Sequence, residues 1–253
     1  MCDTQPLVVI LSALDHEYRA VRAHLDGLRP RRHGAGTMFE VGRVRGGEGE
    51  VVVGVTGAGN SRAGILAERA IAMFAPRALL FVGVAGGLHD DVGLGDLVVA
   101  TKVYAYQDGK DGGDGFLNRP RAWEAPHALE QLARRVALDD AWTKALDPAV
   151  DSGDLTVHFR PVAAGDVVLN ARDTALADLL RRGFNDAAAV EMESAGVSQA
   201  AHLNRSVPVL TVRGISDRAD GTKDAAADAR WQPVAVRRAA AFAVALATEI
   251  LRR

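Results

Sequence analysis

Cysteine is nearly absent from this sequence, since Cys2 is the only one among 253 residues. A single thiol excludes an intrachain disulfide and any zinc site built on several cysteines. The seven histidines form neither a His-x-His pair nor a His-Glu-x-x-His motif, which are spacings typical of metal sites. The sequence therefore predicts a reducing compartment and no bound metal.

The sequence also lacks an excess of charge and long apolar runs. Its 30 basic and 32 acidic residues give a net charge of −2, with no basic block, so we expect no nucleic-acid partner. No apolar run is long enough to span a bilayer, and the first residues lack the basic and apolar regions of a signal peptide. We therefore expect a cytoplasmic protein with no membrane partner.

What the sequence does have is a high apolar content. Hydrophobic residues make up 48% of the chain, which is enough to bury the core of one large domain. There is no internal repeat and no low-complexity linker. Residues 1–253 are therefore predicted to form a single domain.

Apolar periodicity alternates between strand-like and helical segments. Strands are predicted over Leu7–Leu11, Phe39–Val44, Glu50–Thr56, Leu79–Val84, Asp96–Tyr106, Leu155–Ala163 and Val207–Ile215. Helices are predicted from Asp15 to about Leu25 and over Ser61–Phe74, Pro126–Ala145, Asp173–Gly183, Ser194–Leu203 and Ala235–Leu251. We interpret Gln107–Pro120 as a mobile loop and Asp217–Asp228 as a polar loop. The alternation predicts an α/β fold in which helices cover both faces of a central mixed sheet.

Glycines cluster at the end of the most apolar strand. Gly83, Gly86 and Gly87 surround Ala85, and such a stretch either presents bare backbone to a flat ligand or forms a tight turn. A second glycine-rich turn, Thr56–Asn60, either holds phosphate on a helix N-terminus or allows a close backbone approach. It lacks the third glycine of a dinucleotide-binding fingerprint.

Five acidic residues lie where strands end or helices begin. Glu191 and Glu193 are two positions apart and face different ways, so we assign Glu193 to a pocket and the other to a helix N-terminus. Asp217 follows a strand and is either an acid of a site or a turn residue. Asp15 is the predicted N-cap of the first helix, and Glu17 is either a surface charge or a catalytic group.

Six short motifs resemble, in order and spacing, the nucleoside phosphorylase superfamily. They are Ala13-Leu-Asp-His-Glu17, Thr56-Gly-Ala-Gly59, Ala85-Gly-Gly87 with Gly95-Asp96, Gly165-Asp166, Val190-Glu-Met-Glu193 and Arg213-Gly-Ile-Ser-Asp217. The resemblance covers nearly the whole chain and is strongest to the 5′-methylthioadenosine/S-adenosylhomocysteine nucleosidase branch. It implies a three-layer α/β/α sandwich with a central mixed twisted sheet, a homodimer, and hydrolysis of the N-glycosidic bond of an adenine nucleoside, without metal or organic cofactor.

The resemblance also implies roles for individual residues. Asp217 would protonate N7 of adenine, Glu193 would bind the ribose hydroxyls near the developing cation, and Glu17 would polarise the attacking water. Seven further residues would contact or orient the substrate: Met192 under the sugar, Val168 and Leu169 at the adenine edge, Ser216 beside the acid, Arg213 as an anchor, and Ala85 and Gly86 in the glycine stretch.

Several positions depart from that branch. Val84 stands where the branch carries a small hydroxyl residue, and Val168 stands where an aromatic side chain stacks on the purine. The strand Leu79–Val82 lacks the arginine with which phosphorylases bind phosphate. Water is therefore the expected nucleophile.

The loop from Gln107 to Arg121 favours an alternative substrate. Its cations Lys110, Arg119 and Arg121 suit a 5′-phosphate better than an alkylthio group. An AMP or ATP N-glycosidase is thus the alternative enzyme. A nucleoside-binding sensor or effector module with little turnover is a second alternative, and the joint presence of the three acids argues against it.

Overall fold

The fold alternates strands and helices along the chain. The computed structural model describes residues 7–47, 49–113, 115–146, 154–220 and 225–253, so Cys2 and residues 221–224 of the predicted polar loop lie outside the described residues. The strands are β1 (Leu7–Ser12), β2 (Leu25–Arg32), β3 (Met38–Val44), β4 (Glu50–Val55), β5 (Ala78–Gly87), β6 (Leu97–Ala105), β7 (Gly109–Gly112), β8 (Gly115–Asn118), β9 (Arg121–Glu124), β10 (Val157–Ala164), β11 (Ala189–Glu191) and β12 (Val209–Asp217). The helices are α1 (Asp15–Arg22), α2 (Asn60–Phe74), α3 (His127–Asp139), α4 (Ala175–Gly183), α5 (Ser194–Leu203) and α6 (Ala225–Leu251), with a 3₁₀ turn at Ala141–Ala145.

Most strands belong to one mixed sheet. Its order is β11-β10-β6-β12-β5-β1-β4-β3-β2, with β9 paired to β6. The strands β4, β1, β5 and β12 run parallel, so their carboxyl ends meet at one edge. β11 also pairs antiparallel with the end of β5, where Val190 lies opposite Gly86. The sheet therefore curls around the glycine-rich end of β5.

Alternate residues of the central strands face different layers of helices. Val8 and Ile10 of β1 pack in one core cluster with residues of α3 and α6, whereas Val9 and Leu11 pack with residues of α2 and α5. This arrangement confirms the predicted three-layer α/β/α sandwich. Within the described ranges, no helix is both long and apolar enough to cross a membrane.

Helices α2 and α5 approach each other at glycine residues. A Cβ on Gly196 would collide with the carbonyl oxygen of Asn60, and a Cβ on Gly64 would lie 3.0 Å from the carbonyl oxygen of Gly196. The Gly196 N–H also donates to Asn60 Oδ1 at 2.9 Å. Because α2 follows β4 and α5 follows β11, this close contact fixes the two strand-to-helix turns relative to each other.

The first helix differs from its prediction in its N-cap and in its last residue. Asp15 is its first residue and Leu14 is the N-cap, so the prediction of Asp15 as N-cap was wrong. The N–H groups before the helix are instead satisfied by the carboxylate of Glu17. The helix ends at Arg22, because Leu25 already belongs to β2.

Three other segments also differ from the predictions. The predicted mobile loop Gln107–Pro120 contains the β7–β8 hairpin. The predicted helix Pro126–Ala145 breaks at Asp140, which has a left-handed φ of 47°. The last helix begins at Ala225, well before the predicted Ala235, so the polar segment before it is shorter than its composition indicated.

Replacing Gly196 by alanine should destabilise the fold, because the added methyl group would overlap backbone atoms of Asn60. We expect the free energy of unfolding to fall by about 2–3 kcal/mol, measured by urea unfolding with circular dichroism. Gly34→Ala is the matched control, since a Cβ there meets no atom within 4 Å. Equal midpoints for the two variants would contradict the packing constraint.

Candidate active site

The acids identified in the sequence converge above the carboxyl ends of neighbouring strands. Asp217 ends β12 and lies opposite Gly86 of β5. Glu17 lies in the first turn of α1, after β1, and Glu193 is the N-cap residue of α5, after β11. This is the edge at which open α/β sheets bind ligands. In the described part of the chain, no three His, Cys, Asp or Glu side chains are arranged to hold a metal ion.

A fully buried guanidinium lies at the centre of this cluster. Arg213 is 0% exposed. Its Nη2 forms an ion pair with Glu191 Oε2, and Glu193 Oε2 lies 3.6 Å away. The guanidinium also lies over the Phe81 ring, 4.4 Å from the ring centroid. Since a buried charge without a partner is costly, β12 can carry this arginine only with the acids in place.

Glu191 and Glu193 have different surroundings although they are two residues apart. The Glu191 carboxylate accepts hydrogen bonds from the N–H groups of Glu193 (3.2 Å) and Ser194 (3.1 Å) and from Ser194 Oγ (2.6 Å). A negative charge is favourable at this helix start. Glu193 reaches towards the other strand-to-helix turn, where the Gly59 N–H donates to its Oε1 at 3.1 Å.

Glu17 is buried beside the same guanidinium. It is only 2% exposed, which excludes the alternative that Glu17 is a surface charge. One oxygen accepts the two N–H groups that precede α1, each at 2.9 Å, and the other accepts the Val84 N–H at 2.8 Å. A Cβ on Gly83 would collide with both Glu17 Oε1 and Arg213 Nη1. The glycine thus makes the room in which carboxylate and guanidinium approach each other.

Three carboxylates therefore surround one guanidinium, and this excess of negative charge acts on Glu193. Burial, followed by the charge of Glu191, raises the pKa of Glu193 from 4.5 to about 7, against the opposing effects of Arg213 and the Gly59 N–H. At neutral pH this side chain is consequently divided between its two protonation states.

Asp217 is the last residue of β12, where the sequence predicted the start of a polar loop. Ser216 Oγ donates to its Oδ2 at 3.0 Å, and the Ala219 N–H donates to its Oδ1 at 3.0 Å. A Cβ on Gly86 would lie 2.9 Å from Oδ1, so the bare backbone of β5 makes room for the carboxylate. These contacts hold the acid in one orientation at the sheet edge.

A family sequence profile described as the phosphorylase superfamily matches residues 7–252. The chain belongs to the phosphorylase superfamily. This match confirms the resemblance drawn from the six motifs.

Two relatives and one solved structure illustrate what this superfamily member is similar to. ATP nucleosidase Cap17 of Escherichia coli strain KTE188 is 31% identical over 243 residues, covering 87% of this chain and 47% of that protein, so this chain spans about half its length. The 5′-methylthioadenosine/S-adenosylhomocysteine nucleosidase of Maridesulfovibrio salexigens is 28% identical over 213 residues, covering 83% of this chain and 84% of that protein. The crystal structure of the Neisseria meningitidis nucleosidase of the same name, in complex with methylthio-immucillin-A, has a TM-score of 0.79 at 20% identity, covering 96% of this chain and 99% of that one. The structural likeness supports the fold.

Some residues predicted to bind substrate in this superfamily member lie outside the hydrogen-bonded cluster. Leu169 packs in an apolar cluster beside the end of β12, and Ala85 packs in another apolar cluster with residues of β6 and β10. Val168 is 62% exposed, and Met192 is partly exposed. Their contacts with a substrate stay predictions.

Asn60 is a linking residue that the sequence analysis missed. Its backbone N–H and side-chain amide donate to Asp166 Oδ1 at 2.8 and 3.2 Å, and its Oδ1 accepts the Gly196 N–H. It therefore joins three segments that border the site. A signal was present, because an asparagine directly after Thr56-Gly-Ala-Gly59 lies at a helix start, where amide side chains are favoured.

Arg121, one of the three cations predicted to meet a 5′-phosphate, is already paired. Its Nε lies 2.8 Å from Asp108 Oδ2, and its Nη1 donates to Gln199 Oε1 at 2.8 Å. Lys110 and Arg119 are exposed. Binding of a 5′-phosphate by this loop stays a prediction. The charge of Arg121 is partly neutralised by the carboxylate of Asp108.

Replacing Glu193 by glutamine should stabilise the protein more at pH 8 than at pH 5. The pKa of Glu193 is raised to about 7 in the fold, so its contribution to stability falls as the pH rises from about 4.5 through 7. The neutral amide avoids this loss, and we expect a relative gain of up to about 3 kcal/mol across that interval.

Thermal unfolding at both pH values measures this effect. Asp173→Asn is the control, because it makes the same carboxyl-to-amide change at an exposed position. A stability difference between wild type and Glu193→Gln that does not vary with pH would contradict the raised pKa.

Proposed function

We propose that this protein hydrolyses the N-glycosidic bond of an adenine nucleoside. The observation that carries the proposal is a fixed acid, Asp217, on the same sheet edge as carboxylates gathered around the buried Arg213. A ribosyl C–N bond breaks through an oxocarbenium-like transition state, which requires an acid at the leaving base, negative charge beside the sugar and an activated water. The site offers a group for each requirement.

Asp217 is the proposed general acid. The C1′–N9 bond breaks, its electron pair passes to the base, and N7 of adenine takes the carboxyl proton of Asp217. Ser216 and the Ala219 N–H hold the two carboxyl oxygens, so the proton is presented in a fixed direction. The choice of adenine rests on the two nucleosidase relatives.

Glu17 is the proposed base that receives a proton from water as the new C1′–O bond forms. Backbone N–H groups hold both of its oxygens, which orients the carboxylate without a flexible partner. Glu193 would accept the ribose hydroxyls, and the excess of carboxylates over the single guanidinium would stabilise the cationic sugar.

Water rather than phosphate is the proposed nucleophile. The strand segment Leu79–Val82 carries no cation, and the buried Arg213 is already paired with Glu191. A phosphate anion would also be repelled by the surrounding carboxylates. Water is neutral and avoids this repulsion.

Two classes of 5′ substituent agree with the relatives. The sequence resemblance favours a substrate of the 5′-methylthioadenosine/S-adenosylhomocysteine type, with a role in purine salvage. The near absence of cysteine favours a cytoplasmic location. The second candidate is an adenine nucleotide such as AMP or ATP, and two observations favour it: the likeness to an ATP nucleosidase and a cation, Arg62, beside the glycine turn.

Replacing Asp217 by asparagine should abolish release of free base while preserving ligand binding, because the amide keeps the size of the side chain but has no acidic proton. We expect kcat to fall by about 10²–10⁴-fold. Chromatography of adenine released from methylthioadenosine, S-adenosylhomocysteine, adenosine, AMP and ATP, with and without phosphate, measures activity, and calorimetry measures binding. Tight binding by the wild-type protein with no base released from any of these would instead indicate a sensor module.

We further propose that two copies of the chain form a dimer across the α2–α5 face. Ile65 and Leu203 are 54% and 72% exposed there and line a groove of about 570 Å³ together with Trp123. Exposed apolar patches of this kind are typical of interfaces.

Replacing Leu203 by glutamate should convert a dimer into a 26.7 kDa monomer, because the new charge would be buried against the partner. Light scattering after size-exclusion chromatography measures the mass. Leu138→Glu is the control, since Leu138 is 85% exposed on α3, away from this face. A wild-type monomer would overturn the proposal.

A further inference from the structure

Arg62 places a positive charge at the rim of the proposed site. Its guanidinium lies against Gly57, where an added Cβ would be 3.2 Å from Nη1 and 3.4 Å from Cζ. Gly57 belongs to the same turn as Gly59, whose N–H donates to Glu193. Arg62 is exposed, and among the described residues it has no hydrogen bond or ion pair.

The position of Arg62 at the start of α2 lowers the stability of the helix. Arg62 is the third residue of α2, and the first turn of that helix contains no acidic residue. Helix N-termini carry partial positive charge, so a cation there is destabilising. Asp166 Oδ1 accepts the Asn60 N–H at this helix start, but within the described ranges no ion pair joins it to Arg62, so the guanidinium is available to an anionic group.

The strand order indicates which end of a substrate reaches Arg62. Asp217, the proposed acid at the base, ends β12, and Gly57 follows β4. The strands between them follow the order β12-β5-β1-β4, which corresponds to three strand spacings, or roughly 14 Å. The distance from N7 to the 5′-phosphorus of AMP is shorter than this span, and the long Arg62 side chain covers the difference when the 5′ end lies on the Gly57 side.

The proposed position of the ribose hydroxyls also places the 5′ end of the substrate near Gly57. Glu193, their proposed acceptor, is held by the Gly59 N–H. In ribose, C3′ and C5′ are both bonded to C4′, so the 5′ substituent emerges beside the 3′ hydroxyl. Gly57 lies in the same turn as Gly59, and Arg62 lies in the first turn of α2. Gly57 has a φ of 77° and no side chain to stand between the substrate and the guanidinium.

We propose that Arg62 binds the 5′-phosphate of an adenosine nucleotide and makes this site select phosphorylated adenine nucleosides over thio-nucleosides. The inference rests on the proposed N-glycosidase function. The planar fork of a guanidinium matches the oxygens of a phosphate.

The test compares kcat/KM for adenine release from AMP, ATP, adenosine and methylthioadenosine in wild type, Arg62→Gln, Arg62→Lys and Arg31→Gln. Arg31 is the charge-matched control, because it is an exposed arginine on β2. We expect wild type to prefer AMP over adenosine by about 10-fold or more. Arg62→Gln should lower that ratio by a similar factor, Arg62→Lys should restore part of it, and Arg31→Gln should leave it unchanged.

Arg62→Gln should also unfold at the same temperature as wild type or higher, since it removes a cation from a helix start. A loss of the AMP preference without a loss of stability would support the inference. Base release with no preference for AMP, a preference for methylthioadenosine, or a preference that Arg62→Gln does not change would overturn it while leaving the proposed function intact.

Absence of base release from every substrate would overturn the proposed function, and binding would then decide the phosphate assignment. Calorimetry of wild type and Arg62→Gln with AMP and adenosine measures it. Tighter binding of AMP that disappears in Arg62→Gln would support a phosphate contact, and equal affinities for the two ligands would overturn it.

Discussion

The buried guanidinium of Arg213 is the interaction on which the site depends. It is completely enclosed, and removing a charge from water costs several kcal/mol unless partners compensate. Its ion pair with Glu191 joins β12 to the start of α5, and its approach to Glu17 over Gly83 joins β12 to α1. Segments from distant parts of the sequence are thus held together by one charge.

The same interaction explains why the site is acidic. Burial is the largest cause that raises the pKa of Glu193, and the charge of Glu191 raises it further, because one guanidinium does not fully compensate three carboxylates. A site that is short of positive charge is poorly suited to an anionic nucleophile and well suited to a cationic sugar. The stability cost of Glu193 and its proposed role beside the ribose have one physical origin.

Sequence patterns predicted elements with strong periodicity and missed those defined by tertiary pairing. Helix α5 has the predicted bounds, Ser194–Leu203, because its apolar face and acidic start are both local features. Strand β2 was missed, since most of its residues are exposed and polar, and its pairing with β3 is not visible in a hydrophobic pattern. The three-residue strand Ala189–Glu191 is too short to show any period.

The site shows the same division between local and distant information. The acids could be identified because each lies where a strand ends or a helix begins, and ligand sites of open α/β sheets form at such positions. The cation that would bind a substrate phosphate beside these acids could not be predicted from the positions of strand ends. The sequence predicted Arg121 as a phosphate-binding cation because it belongs to a glycine-rich loop, but the fold pairs it with Asp108. Arg62 carries no local signal beyond an unfavourable position at a helix start. Its significance comes from strand order, which sets β4 three places from β12 and so determines what part of a bound nucleoside it can meet.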